Sequence, residues 1–195
     1  MLALMAPSGK GAHLASAASR SILRGKMAEN ETIPAYISLG SNSEQASLML
    51  ARAAQRISRL AGVEVAAVSP VYSTEPQEYR AQPWFLNQVL RLALAPCWRP
   101  AALVASLLAI EAAMGRVRDP VRRFGPRVID LDLLLFGEER LDDADCTVPH
   151  PRLTRRAFVL VPLLDVAPDL ALDGVPLAAA LEKLSFRVCG KQIFQ

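Results

Sequence analysis

Apolar and polar residues alternate along residues 35–39 (AYISL), the pattern of a half-buried strand, and the alternation stops at Gly40, Ser41 and Asn42. Asn42 or Ser43 is placed to cap a following helix, with Glu44 and Gln45 in its first turn. Leu50, Ala54, Ile57 and Ala61 then recur at helical spacing, and Gly62 ends the helix. Residues 63–72 (VEVAAVSPVY) predict a second strand, and the Pro-rich polar stretch 73–83 a connection. Residues 84–95 predict a third strand with Trp84, Leu86, Leu90, Leu92 and Leu94 on one face. Pro100 sits where helices start and Gly115 where they stop, which brackets a second helix. After a basic loop over 116–127, residues 128–136 (VIDLDLLLF) predict a fourth strand. A further helix is expected near 154–164.

The order strand–helix–strand–strand–helix–strand predicts an α+β, ferredoxin-like fold. Its antiparallel sheet would carry helices packed on one face, with C-terminal additions. Such a sheet hosts many activities, so function has to be read from its side chains.

With 195 residues, of which 52% are hydrophobic and 21% charged, the chain can bury one core, expected over residues 32–195. Residues 1–31 are expected to be a disordered tail or a leader. Residues 1–28 hold no acidic residue and scatter Lys10, Arg20, Arg24 and Lys26 among Ala and Ser. That composition fits an organelle leader, a disordered tail, or an over-extended start with Met27 as initiator. A net charge of +3 suits anionic ligands but is too small to imply nucleic-acid binding. The cysteines Cys97, Cys146 and Cys189 are isolated, so a zinc site or disulfide framework is not indicated and a reducing, cytoplasmic setting is expected. No apolar run reaches the ~20 residues that would cross a bilayer.

The 128–136 strand departs from ordinary composition. Ile129, Leu131, Leu133 and Leu135 are expected to face the core, which leaves Asp130 and Asp132 together on the other face, with Cα atoms roughly 6–7 Å apart. Adjacent carboxylates raise each other's pKa unless a cation neutralises them. Mg²⁺ typically takes one or two carboxylates together with substrate phosphates. Two solvated aspartates on an exposed face would look the same in isolation. Arg116, Arg118, Arg122, Arg123 and Arg127, all just upstream, add groups that grip phosphate and keep their charge. Together these are the ingredients of phosphoryl transfer. The chain has no GxxxxGK[ST] and no HRD motif, which excludes P-loop enzymes and protein kinases. On the third strand, Phe85 and Asn87 share the face opposite the leucines, a ring and an amide suited to a flat heterocycle. Phe158, after Arg155 and Arg156, is either a second stacking ring or a core residue.

The segments YISLGSN, VSPVYSTEP with QPWFLN, GRVR with RFGPRVIDLDLLLFG, and VPHPRLTRRAFVLVPL follow in the order seen in one family. Over about residues 35–170 the chain resembles 6-hydroxymethyl-7,8-dihydropterin pyrophosphokinase. The resemblance implies ATP-dependent transfer of pyrophosphate to the pterin hydroxymethyl group, with release of AMP, in folate biosynthesis. It implies two Mg²⁺ ions on Asp130 and Asp132, with Arg116 and Arg127 as catalytic arginines acting on the phosphates. Arg118, Ile129, His150 and Arg156 fall on the ATP side. Phe85 and Phe158 would sandwich the pterin, while Asn87 and the backbone near Thr74 read its edge. Glu111 is expected to orient the basic loop. Magnesium would offset the cost of the paired carboxylates, with the arginines on the far side, against the phosphates. Pro151, Glu75, Gln77 and Phe124 depart from residues common in the family. The expected partners are the two small-molecule substrates, with no nucleic acid, no membrane and no second subunit.

Overall fold

The computed structural model describes residues 32–77, 80–117 and 125–195, so expectations for residues 1–31 lie outside the described residues. The chain runs β1 (Ile33–Ser41), α1 (Ala46–Ile57), β2 (Val63–Val68), β3 (Tyr72–Thr74), β4 (Phe85–Leu94), α2 (Pro100–Ala113) and β5 (Asp130–Phe136). It continues through β6 (Leu141–Asp142), β7 (Thr147–Val148), α3 (Ala157–Val166), β8 (Ala171–Leu172), β9 (Val175–Pro176), α4 (Leu177–Glu182), β10 (Arg187–Cys189) and β11 (Gln192–Phe194). The main sheet has the order β10-β11-β3-β4-β1-β5, and β2 pairs with the distal half of β4. All pairings in it are antiparallel except β11 with β3. The α+β, ferredoxin-like architecture expected from the element order is present, and β10 and β11 extend it at one edge.

One face of the sheet is closed by α1 and α2. Leu50, Ala53 and Ile57 of α1 and Leu103 and Leu107 of α2 pack on Ile37, Leu39, Leu90, Leu92 and Leu94. The apolar positions of α1 fall on one side, whereas α2 is apolar nearly all round and is set by Pro100 at its first turn and by Gly115 (φ +88°) after its end. On the opposite face, Val159, Leu160 and Leu163 of α3 pack on Tyr36, Val89, Leu134 and Leu135. This helix covers only the apolar end of that face. The polar end, where Ser38, Gly40, Asn87, Asp130 and Asp132 lie, borders a cavity.

Four local expectations are corrected. Residues 63–72 do not form one strand. Pro70 has no N–H to give to a ladder, and the strand breaks there. Ser69 bridges the break, since its Oγ accepts from the Val89 N–H at 2.9 Å and its own N–H donates to the Val89 carbonyl at 2.9 Å. Neither Asn42 nor Ser43 caps α1, whose N-cap is Gln45 without a side-chain bond, and the helix ends at Ile57. Trp84 lies outside the core; it is 38% exposed and meets the Phe194 ring edge-on at 5.2 Å.

The fourth correction concerns β5. Leu135 does not continue the row of Ile129, Leu131 and Leu133. Its pairing with β1 slips between Tyr36 and Ile37, so Leu134 is an extra residue and the alternation inverts beyond it. Leu135 therefore joins Leu134 against α3, and Phe136 returns to the α1/α2 side. Leu135→Ala should cost about 2–4 kcal/mol and speed amide exchange in α3 more than in α2. The opposite ranking would contradict this packing.

Candidate active site

Across the centre of the sheet, Asn87 on β4, Gly40 on β1 and Asp130 on β5 lie in one row; Ser38 pairs with Asp132 in the next. The row needs glycine at 40, because a Cβ there would stand 2.9 Å from Asn87 Oδ1. Asn87 is buried and donates through Nδ2 to Thr74 Oγ1 at 2.6 Å, which leaves its second N–H and its Oδ1 for another partner. Phe85, two residues along β4, and Phe158, in the first turn of α3, line the same cavity of about 340 Å³.

The carboxylate end of the cavity is built around Asp130. Arg116 Nη1 bonds Asp130 Oδ1, and Arg127 Nη1 bonds Asp130 Oδ2. Arg116 Nη1 also donates to Glu111 Oε1 at 2.7 Å and to the Ile129 carbonyl at 2.9 Å. Glu111 is almost fully buried, and its Oε1 also accepts the Leu131 N–H at 2.7 Å. The expected structural role of Glu111 takes this form: it ties the end of α2 to the start of β5 and holds Arg116 between them. Arg127 is fixed through its backbone, its N–H donating to Asn42 Oδ1 at 2.8 Å and its carbonyl accepting the Asn42 N–H at 3.3 Å. Its guanidinium lies 5.6 Å from the Phe85 ring centre. The arginines therefore do not stand apart from the carboxylates, as the sequence led one to expect. Both close directly on Asp130, the nearest anion to two cations that cannot shed their charge.

This leaves the two aspartates in different states. Burial pushes the Asp130 carboxyl up, but the charges of Arg127 and Arg116 outweigh it and hold the group below its ordinary value. Asp132 has no hydrogen-bond or ion-pair partner among the described residues; burial and then the Asp130 charge push it up to about 6. The charges of Arg156 and Arg116 oppose that rise without cancelling it, and a partly buried carboxylate with no direct ion pair, next to one already ionised, suits a hard divalent cation. Among the described residues there is no group of three or more His, Cys, Asp or Glu side chains to enclose one. A cation here would complete its shell with substrate oxygens and water, which is how Mg²⁺ commonly binds.

The third wall follows β7. His150 is anchored by its N–H to the Leu134 carbonyl at 2.9 Å, and its Nδ1 accepts the Arg152 N–H at 3.1 Å. Burial first, then the charges of Arg156 and Arg152, push His150 down to about 4, so it is neutral at pH 7 with its proton on Nε2. Arg156 lies 5.5 Å from the Phe158 ring centre and borders the cavity with Arg152 and Pro151.

Thr74, Phe85, Asn87, Arg116, Arg127, Asp130, Asp132, His150, Arg156 and Phe158 thus line one cavity. Ile129 does not; its side chain is fully buried in the α1/α2 core, and only its carbonyl reaches the charge network. Arg118, Arg122, Arg123 and Phe124 lie outside the described residues. Sequence reading missed Ser38, Gly40 and Arg152 as cavity residues. It also misread Asn42, whose Nδ2 donates to Gln82 Oε1 at 3.0 Å while its Oδ1 holds Arg127. No local signal separates such a loop-bridging Asn from a helix cap.

A ferredoxin-like sheet that sets an aromatic–amide slot beside a carboxylate pair ringed by cations defines a phosphoryl-transfer enzyme. Residues 36–168 match the family described as 7,8-dihydro-6-hydroxymethylpterin-pyrophosphokinase (HPPK). The chain is 43% identical over 150 residues to the 2-amino-4-hydroxy-6-hydroxymethyldihydropteridine pyrophosphokinase of Methylorubrum extorquens, covering 77% of this chain and 92% of that one. It is 44% identical over 152 residues to the Pseudomonas aeruginosa protein of the same name, covering 77% and 91%. The fold is similar to that of the Plasmodium falciparum HPPK-DHPS crystal structure with pterin and p-hydroxybenzoate, at a TM-score of 0.57 and 14% identity. That match covers 78% of this chain and 43% of the Plasmodium chain. The chain belongs to the 7,8-dihydro-6-hydroxymethylpterin-pyrophosphokinase family and is a diphosphokinase.

The unpartnered Asp132 makes a prediction for metal-free protein. Its raised pKa means that its ionised form costs the fold; the cost is full above about pH 6 and is relieved as pH falls toward the ordinary value of 3.8. Asp132→Asn should therefore raise Tm by a few degrees at pH 8 in EDTA and by little near pH 4.5. Mg²⁺ should stabilise the wild type more than this variant. A Tm gain that does not shrink with pH would contradict the assignment.

Proposed function

We propose that the cavity carries out the family's reaction by gripping the pterin between Phe85 and Phe158 and presenting its hydroxymethyl group to ATP at Asp130 and Asp132. The observation that carries this is that Asn87 of the slot and Asp130 of the carboxylate pair lie on one sheet row, separated only by Gly40, with Phe85 and Asp132 lining the same cavity. Asn87, already oriented by Thr74, offers its remaining N–H and Oδ1 to a donor–acceptor edge. The hydroxymethyl oxygen attacks the β-phosphorus of ATP; the bond from that phosphorus to the α,β-bridging oxygen breaks, AMP leaves, and the hydroxyl proton passes to solvent.

Mg²⁺ held by Asp130 and Asp132 would withdraw charge from the phosphate oxygens and acidify the hydroxyl. Four carboxylate oxygens, with most other ligands left to ATP and water, suit two such ions. Arg116 and Arg127 are exchangeable cations: a guanidinium bonded to Asp130 can re-pair with a phosphate without changing protonation. Neutral His150 donates from Nε2 to a phosphate oxygen, and Arg156 adds a cation on that side. Arg118 is assigned to the same phosphates from the sequence alone. The two substrates are the partners in this reading, and the enzyme works as a monomer in the cytoplasm, where its three free cysteines stay reduced.

Incubated with ATP, Mg²⁺ and 6-hydroxymethyl-7,8-dihydropterin, the protein should release AMP; a folded protein that releases none would overturn the proposal. Asp130→Ala and Asp132→Ala should each lower kcat by about 10³-fold or more, in the range expected when charge stabilisation is lost. Wild-type kcat in either variant would remove that aspartate from the metal site. Arg127→Ala should slow the single-turnover chemical step more than it weakens pterin binding, and equal losses would assign it to binding instead.

A further inference from the structure

Residues 169–195 lie beyond the stretch that matches the family, yet part of this segment reaches the pterin side of the cavity. Strand β11 runs parallel to β3, with Ile193 opposite Thr74, and the Glu75 N–H donates to the Ile193 carbonyl at 3.4 Å. Gln195 follows directly and makes four hydrogen bonds. Its N–H donates to Glu75 Oε1 at 2.8 Å, and its Oε1 accepts Gln77 Nε2 at 2.8 Å. The same Oε1 accepts the Ala157 N–H at 2.7 Å, and Nε2 donates to the Arg155 carbonyl at 3.0 Å.

These partners belong to two different walls. Glu75 and Gln77 lie in the segment after β3 that borders the slot, next to Thr74, the sheet partner of Phe85. Ala157 opens α3, beside Arg156 and Phe158. The first N–H groups of a helix have no partner within it, and the N-cap of α3, Arg156, supplies no side-chain bond. Gln195 therefore acts as a distant cap for α3 while it holds the facing loop. One amide fixes the distance between them.

We propose that Gln195 is a positioning residue that sets the width of the pterin slot by clamping the 75–77 loop to the start of α3, where Phe158 lies. It touches no substrate in this scheme. Its effect passes through Phe158 on one side and through Glu75 and Gln77 on the other. The proposal rests on the pterin reading of the slot given above.

The test uses the full chain. Pterin affinity is measured by calorimetry in the presence of Mg²⁺ and a non-hydrolysable ATP analogue, alongside steady-state KM values for both substrates. Gln195→Ala should weaken pterin binding and raise its KM about 5- to 20-fold, with ATP KM and kcat within about 2-fold of wild type. Gln195→Glu keeps the acceptors for Ala157 and Gln77 and should recover most of the affinity. Gln77→Ala should reproduce part of the loss, and the double variant should lose less than the sum, because both act through one bond. Unchanged pterin affinity in Gln195→Ala would overturn the proposal. So would parallel losses in pterin affinity, ATP KM, kcat and Tm, which would reveal a general folding role. A wild-type protein that binds no pterin would instead sink the functional reading beneath it.

Discussion

Everything about this site depends on one carboxylate being shared by two guanidiniums. Asp130 sits between Arg116 and Arg127, and Arg116 is in turn held by Glu111, one of the few buried charged side chains in the described core. Taking four charges out of water is expensive, and such a network stands because opposite charges are paired and hydrogen-bonded to one another. Glu111 meets that requirement with Arg116 and the Leu131 N–H. Those bonds join the end of α2 to the first residues of β5. Both arginines bond Asp130, and Asp132 feels only the more distant charges of Arg156 and Arg116, which do not offset its burial and the Asp130 charge. The result is an asymmetry between neighbouring carboxylates, one held ionised and one pushed up to about 6.

The fold makes room for this network by leaving one face half covered. Helices α1 and α2 close the first face along its length, as the apolar rows of β1 and β4 require. On the second face α3 reaches only as far as Val89 and Leu134, where the side chains turn from aliphatic to polar. The slip in β5 at Leu134 assists, because it sends both Leu134 and Leu135 to α3 and gives that short helix enough apolar surface to dock. Docking α3 then carries Arg156 and Phe158 to the cavity rim. Core packing at one end of the sheet and chemistry at the other are thus consequences of the same strands.

Much of this was legible in the chain, and what was not has a common cause. The aspartates on one face of β5 and the pairing of Phe85 with Asn87 follow from the period of two in strands. The ends of α2 follow from Pro100 and Gly115. The position of Leu135 was not legible, since a bulge leaves no mark in an aliphatic run. Asn42 has the residue type and position of a helix cap, and only the approach of two distant loops, carrying Gln82 and Arg127, turned it into a bridge. The direct pairing of both arginines with Asp130 was not legible for a related reason. Sequence shows cations near carboxylates but not which anion each one takes.

Arg127 shows why the partner matters. Its guanidinium contacts Asp130 and also lies over the Phe85 ring, so one side chain joins the carboxylate end of the cavity to its aromatic end. Its backbone is held at both N–H and carbonyl by Asn42, which leaves only the side chain free to change partner. A lysine there would lose the flat face that lies against Phe85 and the fork that matches a carboxylate or a phosphate. An uncharged residue would leave Asp130 with one cation and raise the cost of keeping it ionised. The arginine therefore supplies positive charge that the buried Asp130 carboxylate needs to stay ionised. In the proposed reaction, moving it from carboxylate to phosphate would exchange one ion pair for another.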